Sequence, residues 1–366
     1  MNKLTSIAAH FQPGGEITDV REYGAGNVND TYLVTRNSSQ DSQFVMQRIN
    51  THVFVHPEYI MLNMRTFTEH VQRRLRLKPL NAAHSWRVPR VLPTQDDQDL
   101  FIDDEGAFWR ALSFIDGSRS YETIQSIDHA REAGYALGQF QNLISDLGCD
   151  QLYDTLQGFH VTPQYLAQYD ETLAKNGDRS FSPDAKYCLQ FIHDRKVWAG
   201  VLEEAKVRND LFLRPIHGDP KINNIMIDES TGQAVSIIDL DTVKPGLIHY
   251  DIGDCLRSCC NPLGEETEQI DTVCFDTDLC KAILQGYLGV ANGFLTESDY
   301  AYMYDAIRLI TFELGLRFFT DYLKGNVYFK VRHEEHNLQR ALVQLRLAES
   351  IEAQESEIRT IINELR

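Results

Sequence analysis

Ile216-His217-Gly218-Asp219-Pro220-Lys221-Ile222-Asn223-Asn224, followed after a turn by Ile237-Ile238-Asp239-Leu240-Asp241, is the stretch on which the reading of this chain rests. Asp219 stands in a loop that leaves a short apolar strand, with Lys221 two positions later and Asn224 five. A further Asp arrives at the end of the next hairpin, whose arms 224–228 and 234–240 flank the turn Glu229-Ser230-Thr231-Gly232. Phosphoryl transfer is catalysed mainly by positioning and by neutralising charge on the moving group. It therefore needs hard oxygen ligands for Mg2+ beside a base and a cation. Asp219, Lys221, Asn224 and Asp239 supply those groups. Taken singly, His217 and Asp219 would serve equally well as loop caps; the ordered set is what points to chemistry.

Outward from this stretch, the chain changes texture once. From 15 to 114 the pattern is short and extended, with strands at 31–35 and 44–49 joined through the polar run Asn37-Ser38-Ser39-Gln40-Asp41-Ser42. A helix over 57–77 begins at Pro57, and further strands are expected at 100–103 and 108–115. After Asp116-Gly117-Ser118 helical periodicity takes over: Ala133, Leu137, Phe140, Ile144 and Leu147 line one face of a helix over 127–147. Helices are also expected over 184–208, 278–290, 298–324 and 336–365. The fold class is therefore α+β in two lobes, a small β-rich N-terminal lobe over 1–115 and a larger, mostly helical C-terminal lobe over 116–366. The last helix lacks sustained heptads and reads as a surface helix on its own domain rather than a dimer seam, which leaves a monomer or homodimer.

Composition narrows the partners. The 366 residues are 43% hydrophobic and 24% charged, which excludes disordered and collagen-like classes. With 35 Lys and Arg against 53 Asp and Glu, the net charge of −18 repels phosphate backbones and anionic lipid, so neither nucleic acid nor membrane is an expected partner. Seven cysteines without a CxxC pair read as free thiols in a reducing compartment. No signal peptide or membrane span is read in the sequence, and the cytoplasm is the expected location.

The order Asp, Lys two on, Asn five on, then Asp, resembles the protein-kinase catalytic loop. His-Gly-Asp-x-x-x-x-Asn followed by Ile-Asp-x-Asp is similar to the aminoglycoside phosphotransferase and choline kinase superfamily. Within it the nearest likeness is to N-acetylhexosamine 1-kinases. That finer likeness is carried by Tyr23-Gly24-Ala25-Gly26-Asn27-Val28-Asn29-Asp30-Thr31-Tyr32-Leu33-Val34, Asn50-Thr51, Trp109-Arg110, Ile238-Asp239-Leu240-Asp241-Thr242 and Asp251-Ile252-Gly253-Asp254. Arg317-Phe318, Asp321-Tyr322-Leu323 and Glu335-His336-Asn337-Leu338 extend it toward the C-terminus. The resemblance implies a protein-kinase-like fold that binds ATP and Mg2+ and phosphorylates the anomeric hydroxyl of N-acetylglucosamine or N-acetylgalactosamine. It makes Asp219 the catalytic base, Asn224 and Asp239 the Mg2+ ligands with Asp241 assisting, and Lys221 a neighbour of the phosphoryl group or the sugar. Arg317 and Asn27 become sugar contacts, and Asp251 a buried group that orients the loop. Gly24, Gly26, Asn27 and Asn29 would bring backbone to the phosphates, while Ser113 and Ile115 would meet adenine.

One position departs from the pattern. The third first-lobe strand of such kinases carries a Lys for the α and β phosphates, whereas Phe44-Val45-Met46-Gln47-Arg48-Ile49 places Gln47 there. Arg48, next along a strand, points to the opposite face. Glu69, the nearest candidate for that lysine's usual partner, has no clear role beside a Gln. Two other readings stay open: a kinase for an aminoglycoside, choline, homoserine or another sugar, and a nucleotide-binding regulator without catalysis.

Overall fold

Alternation along the strands gives the N-terminal sheet two unlike faces. The computed structural model describes residues 3–11, 15–24, 28–38, 42–80, 84–176 and 180–366. A short helix, α1 (Lys3–Ala8), precedes the antiparallel run of β1 (Glu16–Glu22), β2 (Asp30–Asn37) and β3 (Gln43–Arg48). Helix α2 (Pro57–Leu77) follows, then β4 (Val91–Leu92), β5 (Phe101–Ile102) and β6 (Phe108–Ser113). The sheet order is β1-β2-β3-β6-β4, with β5 on β6, so β3 and β6 are neighbours in the register Gln47↔Arg110. Phe44, Met46, Trp109 and Ala111 pack outward into a small core with Ile7, Phe11 and Val34. Val45, Gln47, Arg110 and Leu112, the alternate positions, line the cleft beneath.

Helix α2 begins with Pro57 and Glu58 and ends with Arg74 and Arg76, an arrangement that suits its dipole. Its apolar face of Ile60, Met64, Phe67 and Val71 joins the core of the helical region, where Phe67 stacks on Phe140 at 5.0 Å between ring centroids. The hydrophobic core therefore does not divide where the sequence changes texture.

The helical region comprises β7 (Ser118–Arg119), α3 (Ile127–Ile144), α4 (Thr162–Asn176), α5 (Pro183–Arg195), α6 (Val201–Val207), β8 (Arg214–Ile216), β9 (Ile225–Asp228), β10 (Ala234–Ile237) and β11 (Lys244–Gly246). It continues with α7 (Ile248–Cys259), α8 (Thr277–Ala291), α9 (Glu297–Ala301), α10 (Met303–Leu323), α11 (His336–Ala353) and α12 (Glu355–Leu365). Two small sheets, β10-β9-β7 and β11-β8, bracket the motif loop. Helices α3 and α8 touch backbone to backbone: a Cβ on Gly134 would lie 1.8 Å from the Ile283 oxygen, and one on Gly286 would lie 1.9 Å from the Arg131 oxygen.

Several expectations change in detail. The helix read over 184–208 is interrupted by a 3-10 turn at Lys196–Gly200, and the one over 298–324 breaks between α9 and α10. The final helix divides into α11 and α12, and α11 buries Leu338, Ala341, Leu342 and Leu345 against its own chain instead of lying on the surface. Helices α4 and α7 were not foreseen. The polar residues of α7 are buried because Asp251, Asp254 and Arg257 build the site, while His249 Nε2 lies 3.0 Å from the Asp299 carbonyl. All seven cysteines are free thiols. Among the described residues no helix is long and apolar enough to cross a membrane.

Candidate active site

The motif loop leaves β8 at His217 and turns sharply at Gly218, whose φ of +88° and closeness to Thr242 leave no room for a side chain. Buried side chains hold every step of the turn. Asp251 on α7 accepts the N–H of His217 through Oδ2 at 3.0 Å and of Gly218 through Oδ1 at 2.8 Å, as the resemblance implied. The Thr242 hydroxyl donates to the His217 carbonyl at 2.8 Å, and His160 Nε2 lies 2.7 Å from the Gly218 carbonyl. Desolvation lowers the His217 pKa, so the ring is neutral; Nδ1 accepts from the Asp219 N–H at 3.2 Å while Nε2 donates to the Ile238 carbonyl at 2.9 Å. Burial pulls the His160 pKa down, but the Glu313 carboxylate 2.9 Å away outweighs it and leaves that pKa raised.

This scaffold delivers Asp219 to the cleft. Its Oδ2 accepts from Lys221 Nζ at 2.7 Å and Asn224 Nδ2 at 3.2 Å, and Asn224 Nδ2 also donates to the Asp219 carbonyl at 2.7 Å. Among the described residues Oδ1 has no partner, so it is the atom available to a ligand. Asp239 ends the hairpin with φ +65°, a left-handed conformation that aims its side chain into the same space. Its pKa is pushed up to about 7, first by enclosure in the cleft and then by Asp241, against the pull of Lys221. The carboxylate keeps contact with solvent, which tempers that rise. A carboxylate and an amide oxygen are donors suited to a hard divalent cation. Among the described residues no group of three or more His, Cys, Asp or Glu could hold such an ion unaided, so phosphate oxygens and water would complete its coordination.

The roof of the cleft differs from expectation. Gln47 does not face the cleft alone: its Oε1 accepts from Arg110 Nε at 2.9 Å and Nη2 at 2.7 Å, and its Nε2 donates to Thr31 Oγ1 at 3.0 Å. Arg110 is 1% exposed, and its Nη1 stands 2.5 Å from Asp241 Oδ1. Asn29 Nδ2 donates to the other oxygen, Oδ2, at 2.7 Å. Asp241, expected to assist the metal, is thus occupied by Arg110 and Asn29, and Asn29, expected at the phosphates, ties β2 to Asp241. Arg48 turns away to Asp30 at 3.9 Å, and Glu69 lies on the exposed face of α2. Helix α2 instead reaches the floor through Asn63, whose Nδ2 donates to the Tyr153 and Val243 carbonyls at 2.8 Å.

Gly24 has φ +76° and borders the cleft; Gly26 and Asn27 lie outside the described residues. Ser113 and Ile115 line the cleft, but the Ser113 N–H and Oγ are engaged with Arg90 and the Ile115 carbonyl with Ser118. Ile115, Met226 and Ile238 form one apolar wall, with Val28, Val45 and Leu112 also lining the cleft. The space enclosed is about 510 Å³. Its far end holds Arg317 among Phe159, Tyr165 and Phe329, with the guanidinium 4.9–5.6 Å from their ring centroids. Arg257 joins Asp254 (Nη2 to Oδ1, 2.6 Å) and Glu265 (3.0 Å). Arg257, Glu265, Glu313 and the apolar wall were not anticipated. Each is an ordinary residue of a helix, strand or loop, and only assembly of the fold brings it here.

This geometry has counterparts. A family model described as "Phosphotransferase enzyme family" matches residues 19–273. Among solved structures, an aminoglycoside phosphotransferase from Alicyclobacillus acidocaldarius is 16% identical, covering 98% of this chain and 95% of its own, with a TM-score of 0.59. A choline kinase from Cryptosporidium parvum is 14% identical over 99% of this chain and 98% of its own, with a TM-score of 0.58. A spectinomycin phosphotransferase solved with ADP and spectinomycin is 11% identical over 96% and 98%, with a TM-score of 0.56. At such identities the likeness is one of fold. With the family match spanning well over half its length, the chain belongs to the phosphotransferase enzyme family and has the protein-kinase-like fold of aminoglycoside phosphotransferases and choline kinases.

Proposed function

We propose that this protein transfers the γ-phosphoryl group of ATP, with Mg2+, to the anomeric C1 hydroxyl of an N-acetylhexosamine, either N-acetylglucosamine or N-acetylgalactosamine. Family membership gives the coarser reaction, phosphoryl transfer to a small hydroxyl-bearing molecule. The observation that carries the finer reading is the charge balance at the far end of the cleft. Asp254 and Glu265 share Arg257, and Glu313 is paired with His160, whose pKa it raises. Arg317 has no ion pair or hydrogen bond among the described residues. Three carboxylates thus face three cationic groups, Arg257, His160 and Arg317, so this end of the cleft offers no excess negative charge to a cationic acceptor such as choline or an aminoglycoside. It suits neutral hydroxyls and an amide carbonyl, with Phe159 and Phe329 offering apolar faces to a sugar ring.

In this reading Asp219 Oδ1 accepts the acceptor's hydroxyl proton as that oxygen bonds to the γ-phosphorus and the bond from phosphorus to the β-phosphate oxygen breaks, releasing ADP. A hemiacetal hydroxyl is more acidic than an ordinary alcohol, so a modest base suffices. Lys221 holds Asp219 by its Oδ2 and presents positive charge beside Asp239, where the transferred group passes. Asn224 and Asp239 would hold Mg2+, which supplies positive charge to the phosphate oxygens.

The test is an acceptor panel with ATP and Mg2+: N-acetylglucosamine, N-acetylgalactosamine, glucose, galactose, choline, homoserine and kanamycin, with the product position read by phosphorus NMR. Phosphate on C1 of an N-acetylhexosamine is the expected result. Phosphate on another acceptor retires the sugar assignment, and ATP binding without transfer to any acceptor favours a non-catalytic regulator.

A further inference from the structure

The cleft lacks the lysine that kinases of this fold carry on the third strand, yet it does not lack a cation at that place. Gln47 and Arg110 are direct partners across β3 and β6, and both side chains point to the cleft. Gln47 Oε1 accepts two N–H groups of the guanidinium, Nε at 2.9 Å and Nη2 at 2.7 Å, which fixes the plane of the fork and directs Nη1 inward. Nη1 approaches Asp241 Oδ1 at 2.5 Å, but without the alignment of a hydrogen bond. Among the described residues both buried atoms have no hydrogen-bond partner. An ion pair made without hydrogen-bond alignment leaves donor capacity on Nη1, which a guanidinium bordering the cleft can give to a phosphate oxygen.

A lysine at position 47 would set a second cation against Arg110. The neutral Gln47 instead accepts from it, so the substitution and the arginine belong together. We propose that Arg110, oriented by Gln47, is the residue that binds the α- and β-phosphates of the nucleotide, in place of the third-strand lysine. The inference rests on the nucleotide-binding part of the proposed function and adds a residue to it. Asp241 then serves as the counter-ion that holds the guanidinium until phosphate arrives, and Asn29 steadies Asp241 from β2.

Equilibrium binding of ADP and adenosine, without acceptor, separates this role from a structural one. Arg110→Gln is expected to weaken ADP binding at least about tenfold, the worth of one charge-assisted hydrogen bond, while adenosine binding stays within about twofold. The double variant Gln47→Lys with Arg110→Gln returns the charge to the neighbouring strand and is expected to recover most of the ADP affinity. Arg110→Lys, which keeps the charge opposite Asp241, covers the case in which Arg110→Gln does not fold; ADP alone should weaken. Equal losses for ADP and adenosine, or unchanged ADP binding, would overturn the proposal while leaving the nucleotide site in place. A wild-type protein that binds neither ligand would overturn the nucleotide reading itself.

Discussion

The two walls of the cleft are made in different ways. Its floor is irregular backbone, a few residues between β8 and β9, held by buried side chains of α4's approach loop, α7 and the hairpin that follows: His160, Asp251, Thr242 and the internal His217. The roof is regular sheet, where strand pairing fixes the backbone and function depends on which side chains register brings together, Gln47 beside Arg110. A floor built this way concentrates its chemistry in consecutive residues. A roof built this way scatters it across strands that are distant in sequence.

If the floor carries the chemistry, Asp219→Asn should give the largest effect. Turnover should fall by about 10²–10⁴-fold, the usual contribution of a positioned base, with ADP affinity nearly unchanged in equilibrium binding. Equal turnover in the two proteins would remove Asp219 from the role. If the floor is a scaffold of buried acceptors, Asp251→Ala should come next. Leaving the His217 and Gly218 N–H groups unpaired should cost roughly 1–3 kcal/mol each, read as a lower denaturation midpoint together with a reduced kcat. Unchanged stability would mean that the loop does not depend on α7.

The roof predicts smaller and more selective changes. Gln47→Met frees the guanidinium without removing its charge, and the KM for ATP should rise by up to about tenfold, with kcat and melting temperature little altered. A fall in kcat at constant KM would contradict the division between the walls. The smallest effect concerns pH. The His160 pKa is raised by Glu313, so its stabilising contribution is complete below the unfolded value near 6.5 and is lost as pH rises through the folded value. Wild-type melting temperature should therefore drift downward above about pH 6.5, and His160→Asn, tolerable at φ +64°, should flatten that drift. A parallel slope in both proteins would place the drift elsewhere.

The same contrast explains what could be read from sequence. Asp219, Lys221, Asn224 and Asp239 lie within a span of 21 residues because one loop and one hairpin present them, so order and spacing were enough to expect them to border one cleft, as they do. Asp251 was legible too, through the motif of α7. Arg110 was seen only as half of a Trp-Arg pair, since nothing local says that β6 pairs with β3 in the register that sets it on Gln47. The partners of Asp241 were hidden for the same reason: its spacing from Asp239 suggested a metal ligand, and nothing local says that Arg110 and Asn29 meet it from other strands. The helix breaks at Tyr302 and Gln354 also escaped, because apolar periodicity runs through both and tertiary packing decides where the axis turns.

The close approach of α3 and α8, at Gly134 against Ile283 and at Gly286 against Arg131, reaches further than helix packing. Tyr287, next to Gly286 on α8, donates to Gln141 on α3, Gln141 donates to Asp251, and Asp251 grips the loop that carries Asp219. From the same helix Glu132 holds the backbone of Ala234 at the start of the arm leading to Asp239. A single methyl group inserted at Gly134 would wedge α3 away from α8 and unseat both halves of the floor at once. Such a variant would present as an enzyme with an intact nucleotide roof and idle chemistry, although no reacting group had been touched.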